Sequence, residues 1–225
     1  MRFMDQMFIE ADDFNQPLSN WNTSNALNMA GMFAGAVSFD QDLSNWDVSN
    51  VTNMSEMFLD ATDFNGSLSG WTPSSVTIMN EMFRNATSFH QNINTWDVSN
   101  VTEMEGMFQG ATSFNQPLNS WNTSKVTLMA TMFNGATSFN QPLDNWDTGA
   151  VEDMNSMFAV ASSFNRPLNA WDVSSVGDFS NMFLNAPTFN QPLNNWNTES
   201  SLVMDAMFAN ADAFNQPLNN WDTSG

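Results

Sequence analysis

Apolar residues recur along this chain in a pattern that repeats every 25 positions. In residues 51–75, Met54, Met57, Phe58 and Ala61 stand at i, i+3, i+4 and i+7. That spacing predicts one apolar face of a short helix, about two turns long. Thr52 precedes it as a candidate N-cap. The residue before the alanine is Asp60, Asn85, Gly110, Gly135, Asn185 or Asn210 in different copies. Asn and Gly suit the left-handed backbone that closes a helix. In the copy at 101–125, Phe114 is followed by Asn115-Gln116-Pro117. Proline fixes its own φ and favours an extended residue before it, which predicts a turn. Beyond Leu118 the polarity alternates, with Trp121 and Thr123 inward and Ser120, Asn122 and Ser124 outward. Alternation of that kind predicts a strand of about five residues.

Tryptophan marks the period at 21, 46, 71, 96, 121, 146, 171, 196 and 221. The 225 residues are nine such periods. Self-similarity at this length means stacked supersecondary units rather than a globular fold. One unit cannot bury a Trp, two Phe and two Met alone, whereas neighbours can cover one another. The expected fold is an α/β repeat: a leucine-rich-repeat-like solenoid of nine 25-residue coils, with one short parallel strand and one short helix per coil. No linker or charge run interrupts residues 1–225, so a single domain is expected. The recurrent Asn at 15, 65, 115, 140, 165, 190 and 215, replaced by Asp40 and His90, predicts a structural column bridging the backbones of adjacent coils.

Composition narrows the function classes. There are 20 Phe, 18 Met and 9 Trp, and no Tyr or Cys, which excludes disulfides and thiolate metal sites. Net charge is −20, from 24 acids against four bases. Nucleic-acid binding needs Lys and Arg to displace counterions, so no nucleic-acid partner is expected. Nor is direct membrane insertion, because no apolar run approaches about 18 residues. The only histidine is His90, so neither a triad nor a Cys/His pair can be assembled without it. The expectation is no enzyme and no cofactor.

Several stretches share the form L-x-x-W-[DN]-[VT]-S-x-V-T-x-M-x-x-M-F-x-x-A-x-x-F-N-Q. This resembles the BspA-like leucine-rich-repeat surface proteins, in the 25-residue form found in mycoplasma-like lipoproteins and other microbial surface proteins. The resemblance covers all nine blocks, with local departures at Asp40-Gln41-Asp42, Gly66-Ser67 and Ser201. It implies an extracellular or cell-surface location and a role in adhesion or contact with protein or glycan ligands. It supplies no binding residues.

The candidate binding set is therefore read from position: the outward residue after each Trp. Its acids are Asp47, Asp97, Asp147, Asp172 and Asp222. Neighbouring acids on one column repel unless water, hydrogen bonds or a cation intervenes. Weak Ca²⁺ or ice-surface binding is therefore one alternative function. The second alternative concerns the ends. No polar cap is visible, and Phe3, Met4 and Phe8 at one end and Trp221 at the other form candidate stacking surfaces. Missing caps are expected if the array continues in a longer chain, or if copies stack head to tail into a fibre.

Overall fold

A computed structural model describes residues 1–224 of the chain. The 25-residue units stack as coils, numbered here from coil 1 (1–25) to coil 9 (201–225). Backbone pairing between coils is parallel but only one residue wide. It runs Phe3–Asn28–Asn53–Ile78–Glu103–Leu128–Asp153–Asp178–Val203, one residue from each coil. Among the described residues the predicted strand around Trp is absent, and the paired column lies elsewhere, just ahead of the first Met position. The alternation at Trp is real: Trp121 and Thr123 are buried, and Ser120, Asn122 and Ser124 are exposed. There the neighbouring coil is reached by side chains rather than by a ladder.

The predicted helix is also absent among the described residues, and the amides explain why. In coil 5, Met104, Gly106, Phe108 and Gly110 donate their N–H to Leu128, Ala130, Met132 and Asn134 of the next coil, at 2.7–3.0 Å. A helix would send the Phe108 amide back to Met104. The intervening amides close tight turns instead: Met107 to Met104, Gln109 to Gly106 and Ala111 to Phe108, at 3.0–3.3 Å. Phe114 to Ala111, Trp121 to Leu118 and Val126 to Thr123 continue the series. The coil is a chain of i→i−3 turns. An i, i+3 pair lies on one side of such a turn, as it does on a helix, so the apolar spacing fits both.

Two residues per coil take positive φ, at the sixth and tenth positions, with values from 52° to 71°. They occupy the third residue of the turns that start at the fourth and eighth positions. Positive φ there is the mark of a type II turn and favours Gly or Asn. The left-handed residue before the alanine is thus present, but it completes a turn rather than ending a helix. Thr52 likewise caps nothing. Its amide and hydroxyl both donate to the Leu27 carbonyl, at 2.9 and 3.1 Å.

The core is continuous from Met4 to Met207. The Phe of the eighth position stacks with its counterpart in the next coil at 5.4–5.8 Å between ring centroids. Within a coil it lies against the second Phe at 3.9–4.2 Å. The indoles from Trp46 to Trp196 are 1–4% exposed. Five pairs of neighbouring indoles stack, as between Trp121 and Trp146 at 6.3 Å and 2°. Trp121 Nε1 donates to the Ile93 carbonyl of the preceding coil at 3.0 Å. Each buried Phe or Met contributes about 1.5–3 kcal/mol.

Candidate interaction surface

With the large apolar side chains consumed by the core, the flanks carry polar columns. The position after each Trp is exposed in all nine coils. In Asp47, Asp97, Asp147, Asp172 and Asp222, carboxylate Oδ1 accepts the N–H two residues on, at 2.9–3.2 Å. These are Asx turns, the local bond that Asp and Asn make best. The Ser49 and Ser174 hydroxyls add a second bond to the same oxygen at 2.7 Å. The hydrogen bonds to the serine side chain, then to its backbone, hold the carboxyls of Asp47, Asp97, Asp172 and Asp222 below the ordinary aspartate range. This column is thus an exposed row of carboxylates, each with one oxygen engaged in its own turn. Among the described residues no three His, Asp or Glu side chains converge in a way that could hold a metal ion.

A second acidic group, formed by Glu81, Glu103, Glu105 and Asp153, lies on the flank that carries the paired column. Burial, reinforced by the charges of Asp153, Glu81 and Glu103, raises the Glu105 carboxyl above the ordinary glutamate range. Asp153 Oδ1 accepts the Asn155 amide at 2.8 Å. The signal for the group was the period itself, which puts Glu103 and Asp153 on one column with Glu105 two residues away.

The Asn column bridges coils as expected. Asn115 Oδ1 accepts the Asn140 amide, Asn140 the Asn165 amide and Asn165 the Asn190 amide, each at 3.0 Å. A row of glutamines clamps the same residues, with Gln141 Nε2 donating to both the carbonyl and Oδ1 of Asn115. His90 joins the column through its own amide, which donates to Asn65 Oδ1 at 2.9 Å. Its ring turns elsewhere, with Nδ1 2.7 Å from the Ser113 carbonyl, where it must be the donor.

The four end residues fall into different environments. Phe3 is 66% exposed, Met4 is buried at 3%, and Phe8 and Trp221 are partly buried against the core. No helix among the described residues is long and apolar enough to cross a membrane.

The model of a family described as "Mycoplasma protein of unknown function, DUF285" matches this chain over residues 1–92, 67–169 and 141–225. No curated protein matches it. Among solved structures it is similar to an internalin (inlF) from Listeria monocytogenes. The likeness has 10% identity, covers 92% of this chain and 82% of that one, and has a TM-score of 0.23, too low to establish a common fold.

Proposed function

We propose that this chain, which belongs to the DUF285 family that its repeats match along their whole length, is a non-enzymatic contact module. It presents long polar flanks to protein or glycan ligands at the cell surface or outside the cell. The observation that carries this reading is the division of labour within each coil. Apolar side chains fill the core, coil backbones bond to one another, and outward positions repeat in columns of carboxylates, amides and hydroxyls. A surface of this kind offers the same donor and acceptor set again and again. That suits a ligand that itself repeats or extends, such as a glycan chain or an extended polypeptide.

In this reading the coil is a shortened relative of the leucine-rich repeat, with Trp121 and its counterparts in the second apolar slot. The nine coils act as one domain. No cofactor is required. A Ca²⁺ ion would meet only carboxylates that project singly from successive coils, short of the six to eight oxygens it favours.

The test is a screen of the purified 225-residue chain against a glycan array and against extracellular-matrix proteins, with calorimetry on any hit. The expected result is saturable binding that weakens when Asp47, Asp97, Asp147 and Asp172 are all changed to Asn. Binding unaffected by that change, or binding to none of these ligands, would overturn the reading.

A further inference from the structure

Asparagine is followed by glycine at two places in this chain, Asn65-Gly66 and Asn134-Gly135. In such a pair the glycine nitrogen can close on the asparagine side-chain carbonyl, because no Cβ stands beside it. A five-membered imide forms and ammonia leaves. In a folded chain the outcome is set by the partners of the glycine amide, the hold on the asparagine side chain and the access of water. The fold treats the two pairs in opposite ways.

In coil 6 the reaction is blocked at the nucleophile. The Gly135 amide donates to the Ala159 carbonyl of the next coil at 2.8 Å. Asn134 is held as well: its amide donates to the Thr131 carbonyl at 2.9 Å, and its carbonyl accepts the Gly110 amide at 2.7 Å. In coil 3 the Gly66 amide has no acceptor among the described residues. Gly66 is buried beside the Gln41 carbonyl, and a Cβ there would collide with that oxygen, so the position requires glycine. Asn65 is exposed, and water reaches it. Its side chain meets coil 4 through the carbonyl oxygen: Oδ1 accepts the His90 amide at 2.9 Å and Gln91 Nε2 at 3.0 Å. Oδ1 is the atom that gains negative charge when a nucleophile adds to Cγ. Two N–H donors at this distance from it are the arrangement of an oxyanion hole.

We propose that Asn65-Gly66 is a site of spontaneous covalent modification, at which the Gly66 nitrogen closes on Asn65 Cγ with the His90 and Gln91 N–H groups stabilising the oxyanion. The Gly66 N–H gives its proton to hydroxide, and a bond forms from that nitrogen to Cγ. The charge develops on Oδ1, between its two donors. As the carbonyl reforms, the Cγ–Nδ2 bond breaks, and Nδ2 takes a proton from water and leaves as ammonia. Water then opens the imide at either carbonyl, giving an aspartyl or an isoaspartyl residue with no change in oxidation state. Either product adds one negative charge. The aspartyl product keeps the bridge between coils, as Asp40 does in the same column by accepting the Asn65 amide at 2.8 Å. The isoaspartyl product lengthens the main chain by a methylene group, which displaces the two oxygens that Gln91 clamps. The contact between coils 3 and 4 loosens there, and the other junctions stay intact. The binding proposed for the flanks does not depend on this step.

The experiment ages the folded 225-residue chain in mildly alkaline buffer, beside a sample kept unfolded in urea. Peptide mass spectrometry follows the replacement of NH2 by OH at each asparagine. Asn65 is expected to convert in the folded chain at least as fast as in urea, where its two donors are lost. Asn134 converts in urea alone. Gln91→Met keeps the length of the side chain but removes one donor, and it should slow conversion of Asn65 severalfold. Circular dichroism checks that this variant folds. The aged chain should unfold at a lower urea concentration than the fresh one, whereas Asn65→Asp unfolds with the fresh parent. Conversion of Asn65 no faster than that of Asn134 in the folded chain, a rate unchanged or raised in Gln91→Met, or an aged chain as stable as the fresh one would overturn the proposal. Should Gln91→Met fail to fold, the comparison of folded and unfolded parent still decides the matter.

Discussion

Replacing Trp121 with Phe tests whether stacking between coils, rather than structure within them, holds this fold. The indole is 2% exposed and lies over Trp146 at 6.3 Å. Its Nε1 donates to the Ile93 carbonyl, a bond that joins coil 5 to coil 4. Phenylalanine keeps the aromatic stack but removes that bond, at a cost of about 0.5–1.5 kcal/mol, because the Ile93 carbonyl still accepts the Trp96 amide at 3.1 Å. The smaller ring also leaves a partial cavity, which adds about 1 kcal/mol. The sum is about 1.5–2.5 kcal/mol, all of it from contacts with neighbouring coils. Trp21→Phe is the control. Trp21 is 36% exposed, and among the described residues its Nε1 donates to no carbonyl. Its replacement should cost under about 1 kcal/mol, in the range of ordinary surface changes. Urea unfolding of both variants, with hydrogen exchange to locate the weakened coils, measures the difference. Exchange should accelerate in coils 4 to 6 for Trp121→Phe, because stability in an array is a nearest-neighbour sum. Equal costs for the two variants, or exchange raised uniformly along the chain, would refute this reasoning.

Three further outcomes follow from single positions. Val160 is a β-branched residue at φ 59° where six of the other eight coils carry Gly or Asn. Val160→Asn should therefore raise the midpoint of urea unfolding by the equivalent of about 1 kcal/mol. His90→Asn restores a side-chain acceptor for the Asn115 amide at the one junction of its column that lacks one among the described residues. It should stabilise by about 0.5–1.5 kcal/mol, read from thermal unfolding. The Glu105 carboxyl is raised, first by burial and then by Asp153, Glu81 and Glu103. A carboxyl with a folded pKa above its unfolded one opposes folding at every pH above the folded value, and this opposition vanishes once pH falls below the unfolded value. Glu105→Gln should thus be more stable than the parent at pH 7, and the gap should close below about pH 4; a gap that persists in acid would contradict the assignment.

The period, the inward and outward sides, and the bridging Asn column were all legible in the sequence, because each rests on translational repetition. Stacked coils put identical residues over one another whatever the local backbone does. The helix was misread because Met54, Met57, Phe58 and Ala61 line one face of a helix and also one side of successive i→i−3 turns. Apolar spacing cannot separate the two. The amides decide, by bonding across coils. The strand was misplaced for a related reason. Alternation around Trp121 marks an extended segment, not a paired one. The column that does pair carries Phe3, Asn28, Asn53, Ile78, Glu103, Leu128, Asp153, Asp178 and Val203, with no shared polarity or shape. Its pairing depends on backbone groups alone, so no side-chain pattern could announce it. The residues of the candidate column after each Trp are exposed. Its Asx turns were written in the D-x-S spacing of Asp47 and Ser49 but were not read from it.

Repetition inside and variation outside also bear on where a ligand can sit. The core tolerates little change from copy to copy, because a ring stacked between two others must match both. The Phe pairs at 3.9–4.2 Å within every coil leave no room for a different shape. Outside, the residue after Trp is Asn22, Asp47, Thr72, Asp97, Asn122, Asp147, Asp172, Asn197 and Asp222 in turn. Only coils 6 and 7 place two carboxylates on adjacent rungs. A ligand that uses this column through charge therefore has its strongest foothold at Asp147 and Asp172, since charges a rung apart act together while those separated by a neutral rung are largely screened. The double change of Asp147 and Asp172 to Asn should weaken flank binding more than the double change of Asp47 and Asp97, which removes the same total charge. Calorimetry on the two variants compares them directly. Equal losses would mean that the ligand responds to overall charge rather than to the column.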